Sequence, residues 1–164
     1  MRYNWYNGNM GLTEKQQEEF DGIIGEYLKH PDVQKMKDYC AHGKISVLEH
    51  SLNVARMAYL LDQRLHVGSD TKDLLVSALL HDFYLYDWHD ARLNANIFQM
   101  HGYTHPGKAC ENAIRVFGIN GIQQEAIRCH MWPLTLRSIP RHRESVLVCI
   151  ADKICALKET LFRW

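Results

Sequence analysis

The sequence predicts an all-α single domain of about seven helices. Apolar residues recur at helical spacing in one segment after another, and capping residues stand at the starts of those segments. Strand signals are nearly absent, since the Asn120-Gly121 pair sits between two helical patterns rather than between alternating runs. The length of 164 residues fits one domain able to bury a full core.

The elements follow in order. Thr13-Glu14-Lys15-Gln16 reads as a capping box, with Phe20, Ile23, Ile24, Tyr27 and Leu28 on one face behind it. Pro31 ends that helix, and a short helix is expected over residues 32–39. His42-Gly43-Lys44 is a turn. Ser46-Val47-Leu48-Glu49 is a second capping box, opening a helix that carries Val47, Val54, Met57, Ala58 and Leu61. Asp70 caps a helix over residues 74–82. Residues 83–103 are aromatic, polar and poorly periodic, so a loop is expected there. Pro106 suits the first turn of a helix reaching about residue 117. Asn120 caps the next helix, which runs to about His130 and is ended by Trp132-Pro133. The last helix spans residues 144–161.

Composition excludes several classes. Hydrophobic residues make up 46% and charged residues 23%, and nineteen basic residues balance nineteen acidic ones. That balance argues against extended nucleic acid held by bulk charge, and against an acidic disordered chain. No apolar run is long enough to span a bilayer and no signal-peptide pattern opens the sequence. The five cysteines form no CxxC pair and several lie in apolar helical context, so reduced thiols and a cytoplasmic location are expected.

The unusual number is ten histidines. His50 lies one turn into a capped helix, His81-Asp82 ends the apolar run Ser77-Ala78-Leu79-Leu80, His105 precedes Pro106, and His130 ends its helix. Asp82 and Asp152 sit in apolar surroundings, where an ionised carboxylate is costly unless it is paired or bound to a metal. Helical spacing aligns Ser145, Cys149, Asp152, Ala156 and Glu159, so small neighbours leave room beside Asp152. A buried aspartate with room beside it and several histidines suits a metal centre.

This ordered set resembles the HD-domain superfamily of metal-dependent phosphohydrolases. The resemblance rests on His50 in Leu48-Glu49-His50-Ser51, on His81-Asp82 after Ala78-Leu79-Leu80, and on Asp152 in Ile150-Ala151-Asp152-Lys153. It covers residues 44–160, leaving residues 1–43 as an N-terminal helical extension. It implies an all-α fold with a metal held by His50, His81, Asp82 and Asp152. His105 and His130 extend the match to the binuclear members. There Asp82 would bridge two metals, with His50, His81 and Asp152 completing one site and His105 and His130 the other. His81 and Asp82 thereby become the central catalytic pair. Imidazole and carboxylate suit Fe, Mn, Zn, Co or Ni, and two such ions would share and activate a water that attacks phosphorus. Cyclic-dinucleotide relatives continue His-Asp-Ile-Gly-Lys, whereas here Leu85 stands at the lysine position, which argues against that substrate.

Substrate contacts are weaker signals. No acidic residue lies between Glu125 and Glu144, an interval that carries Arg128, Arg137, Arg141 and Arg143. Arginine forks suit phosphate, so Arg137 and Arg141 are candidate substrate contacts on an anion-binding rim formed by residues 132–143. Lys153 and Lys108 are further candidates. The aromatic run 83–90 reads as core packing or as a wall on which a base stacks. His42 and His101 are candidate pocket residues, while His30, His66, His89 and His142 read as surface.

The expected activity is hydrolysis of a small, nucleotide-like phosphate ester. The alternative is an HD-type diiron oxygenase acting on a polyol or phosphonate. No membrane partner is expected. Trp5, Phe162 and Trp164 are candidates for a homodimer contact.

Overall fold

The computed structural model describes residues 11–42, 44–87 and 101–162. The terminal tryptophans Trp5 and Trp164, the Phe162 side chain and the segment 88–100 lie outside what is described, as do the side chains of His42 and His101.

Seven α-helices form among the described residues, and most begin at the caps read from sequence. Helix α1 (Glu14–Leu28) starts with Thr13 and Gln16 bonding reciprocally, as a capping box requires. Helix α2 (Pro31–Lys35) continues into a single 3₁₀ turn, Met36–Asp38. A small antiparallel hairpin follows, β1 (Cys40–His42) with β2 (Ile45–Ser46), in which Cys40 faces Ser46. Sequence analysis places only a turn here. The strands are three and two residues long, too short for period-two alternation to show.

Helix α3 (Val47–Leu65) is capped by the Ser46 hydroxyl, which accepts the Glu49 N–H at 3.2 Å. The expected box is only half formed, because Ser46 also closes the hairpin and Glu49 does not reach back to it. Helix α4 (Thr71–Leu80) is capped by Asp70 and is buried on all sides from Leu74 to Leu80. A helix without a solvent face belongs at the centre of its bundle, and α3, α6, α7 and α1 all pack on it.

Helix α5 (His101–Phe117) begins a turn before the expected start, with Pro106 inside it. The ring removes one N–H from the ladder of the second turn but does not end the helix. Helix α6 (Gly121–Cys129) carries a complete capping box between Asn120 and Gln123. Asn120 and Gln123 also donate to Asp73 Oδ1 at 2.8 and 2.9 Å, which ties the start of α6 to the start of α4. Helix α7 (Arg143–Phe162) packs across α3, α4 and α6. Buried side chains from α1, α3, α4, α5, α6 and α7 form one continuous core. Cys110, Cys129, Cys149 and Cys155 are buried free thiols, and Cys40 is half-buried. None of the described helices is long and apolar enough to cross a membrane.

Candidate metal centre

The buried stretch of α4 from Leu74 to Leu80 delivers His81 and Asp82 into the interior at the helix's C-terminal end. His50 comes from the second turn of α3, Asp152 from the middle of α7, His105 from α5 and His130 from the end of α6. All six are buried, although 102 residues separate His50 from Asp152.

Asp82 divides the group into two halves. Its Oδ2 lies 3.6 Å from His81 Nε2 and 4.0 Å from His50 Nε2. Its Oδ1 lies 3.3 Å from His105 Nε2 and 3.7 Å from His130 Nε2. Asp152 Oδ1 completes the first half, 3.1 Å from His50 Nε2 and 3.7 Å from His81 Nε2. Ligand atoms about 2.1 Å from one ion lie about 3.0–3.4 Å apart in octahedral or tetrahedral geometry. The donors therefore stand close to coordination spacing, and His50–His81–Asp82 and Asp82–His105–His130 are each grouped tightly enough to hold an ion.

Hydrogen bonding also fits metal ligands. His81 Nδ1 donates to the Ala78 carbonyl at 2.8 Å and His130 Nδ1 to the Ile127 carbonyl at 2.7 Å. Each bond makes Nε2 the lone-pair nitrogen of its ring, and His130 Nε2 lies 2.8 Å from His105 Nε2 and 3.7 Å from Asp82 Oδ1. His81 Nε2 and Asp82 Oδ1 are buried and have no hydrogen-bond partner among the described residues. Buried polar atoms are almost always satisfied, so one orphan in each half of the group, His81 Nε2 in the first and Asp82 Oδ1 in the second, fits a cation in each half.

The electrostatics agree. Burial works against ionisation of Asp82, but His81, His105 and His130 hold its carboxyl well below the usual carboxylate range. Asp152 is likewise held low by His50 and His81 against the cost of burial. Burial, with His105 and His81 beside it, lowers His130 to about 3 and leaves it a neutral donor. Burial alone would lower His50, but its bonds to Asp152 and Glu159 outweigh that and raise it to about 10. A cation can replace a proton in such a site.

Glu159 is the residue that sequence analysis left on its helix stripe without a role. Its Oε2 lies 2.7 Å from His50 Nδ1, and its Oε1 accepts from Asn53 Nδ2 at 2.9 Å. A carboxylate behind a ligating imidazole sets the tautomer and orientation of the ring. The signal was present in the pattern: Glu159 is seven residues beyond Asp152, on the same face, with the small Ala156 between them.

A cavity of about 600 Å³ opens over this group, walled by Tyr84, Gly102, Met131, Leu134, Lys153 and Ala156 among others. Tyr84 packs edge-on against His105, so part of the aromatic run is wall as well as core. Lys153 donates from Nζ to the carbonyl of His130 at 2.8 Å, which fixes its charge at the cavity edge. The other three candidate substrate contacts lie elsewhere. Lys108 stacks its ammonium over the Tyr86 ring at 4.3 Å and does not line the cavity. Arg137 and Arg141 line a separate cleft. The excess of positive charge in residues 126–143 is a property of the chain, whereas its facing depends on how the loop is tethered. Glu125 holds that loop through the N–H groups of Arg141 and His142, at 2.8 and 3.0 Å.

The family description "HD domain" matches residues 47–157, more than half of the chain. The chain belongs to the HD-domain family, within the superfamily of metal-dependent hydrolases. No curated protein and no solved structure matches it.

Proposed function

We propose that this protein is a metal-dependent phosphohydrolase or phosphodiesterase acting on a small, nucleotide-like phosphate ester. The observation that carries the reading is the two-faced carboxylate of Asp82, with a histidine pair on each oxygen. In this reading His50, His81, Asp82 and Asp152 hold one divalent transition-metal ion, and Asp82, His105 and His130 hold a second. Fe, Mn, Zn, Co and Ni all suit this donor set. Metal held by these residues would lower the pKa of a water for attack on phosphorus and would offset charge on the phosphoryl oxygens.

The remaining work falls to the chain. Burial of all six donors lowers the local polarity around them, which strengthens each electrostatic interaction there. Lys153 offers a fixed positive charge at the cavity edge, where a phosphate oxygen would lie. Tyr84, Met131 and Leu134 give the cavity an apolar wall suited to the ester's organic group. About 600 Å³ is room for one small ester.

Metal analysis of the purified protein combined with phosphate release from a panel of small phosphate esters tests the reading. Bound transition metal with release of phosphate is expected, and Asp82→Ala should lose both. Oxygen uptake with a polyol or phosphonate, without phosphate release, would place the chemistry with the oxygenases instead.

A further inference from the structure

Arg128, Arg137 and Arg141 line one cleft of about 330 Å³, together with Ser138 and Gly121 at the start of α6. This cleft and the metal cavity share no lining residue. Among the described residues, none of the three guanidinium groups forms an ion pair or a hydrogen bond. Arg143 differs, because its guanidinium is used on the carbonyls of Val67 and Gly68, both at 3.1 Å.

One carboxylate, Glu125, lines the cleft among the described residues, and it is already committed. Its Oε1 accepts from the N–H groups of Arg141 and His142 and from the Ser145 hydroxyl, and its Oε2 pairs with His142 Nδ1 at 2.8 Å. Three arginines line this small space against the single negative charge of Glu125, so the cleft carries an excess of positive charge. Like charges held together repel, and planar guanidinium forks match the oxygens of a phosphate group.

We propose that this cleft is a binding site for a phosphate-bearing anion, distinct from the metal centre. The ligand is inorganic phosphate or the phosphate group of a small effector. It would bridge Arg128 on α6 to Arg137 and Arg141 on the loop. The same loop supplies Met131 and Leu134 to the wall of the metal cavity, so an anion in the cleft would hold that wall in place.

The test uses the zinc-loaded full-length protein and amide NMR. Inorganic phosphate should move the amides of residues 121–125 and 137–141 saturably, as a set distinct from those around residues 81 and 105. Potassium chloride at matched ionic strength should not reproduce the effect. Arg137→Gln with Arg141→Gln should weaken phosphate at the cleft about tenfold or more and leave the second set unchanged. Arg128→Gln, an exposed position on α6, should weaken it without touching the loop. Methylphosphonate separates the two sources: binding as tight as phosphate points to a monosubstituted effector, and exclusion points to free phosphate. Cleft amides that stay silent, that respond equally to chloride, or that respond unchanged in both variants overturn the proposal. The hydrolase reading fails separately, through absent metal or absent phosphate release.

Discussion

His50 Nδ1 lies 2.7 Å from Glu159 Oε2, so the first histidine of the centre is held from behind by a carboxylate 109 residues away. Glu159→Ala removes that support and also the acceptor for Asn53. Metal affinity should fall about 10–100-fold, as losses of such supporting groups typically do. Competition with a fluorescent chelator measures it, and Glu159→Gln, which keeps an acceptor for Nδ1, should fall less. Equal affinity in all three proteins would show that Glu159 does not position the ring.

His130→Ala should separate the two halves of the centre. It removes one of two imidazoles facing Asp82 Oδ1 and leaves His50, His81 and Asp152 intact. Metal content should drop from about two ions per chain to about one. Asp82→Ala should take it close to none.

Lys153→Gln should spare metal content, since Lys153 bonds only to the His130 carbonyl and to Cys149 among the described residues. Loss of a charge-assisted contact to phosphate should lower kcat/KM for the ester by about 10–100-fold. An unchanged kcat/KM would remove Lys153 from the substrate site.

Glu125 predicts an acid-sensitive loop. Burial opposes its ionisation, but the Arg141 and His142 N–H groups, Ser145 and His142 outweigh that and hold it below its ordinary 4.5. A carboxyl whose folded pKa is depressed stabilises fully above the unfolded value, and the contribution is lost as pH falls through the folded one. Denaturant unfolding from pH 7 down to pH 3 should therefore show a steeper loss of stability in the wild type than in Glu125→Gln. At pH 7 the variant should be less stable by about 0.5–1 kcal/mol, because two exposed loop N–H groups exchange a charged acceptor for a neutral one.

Leu79→Ala tests the central position of α4. Leu79 is fully buried two residues before His81. The cavity left should cost about 2–5 kcal/mol in chemical denaturation. Metal bound to the centre should restore part of that by mass action.

Most of the helices were legible because their caps are local. Thr13, Ser46, Asp70 and Asn120 each bond to a backbone N–H three residues on, and that is readable from spacing. The six candidate ligands were legible for a different reason. Asp152 stands in an apolar helix and Asp82 follows one, where a lone carboxylate is costly, and the resemblance to the HD-domain superfamily supplied the rest of the set. The hairpin at residues 40–46 was not legible because its strands are too short to show alternation, and the early start of α5 was not because Pro106 reads as a first-turn residue.

By itself, the sequence determined the helix count, the buried carboxylates and the family, because helix period, capping and the ordered His and Asp residues are written along the chain. Only the tertiary structure decided which atoms face one another. It set Asp82 between two histidine pairs, placed Glu159 behind His50, and turned Arg137 and Arg141 into a cleft of their own. The physical reason is that facing depends on helix crossings and loop tethers such as Glu125, which join residues far apart in sequence.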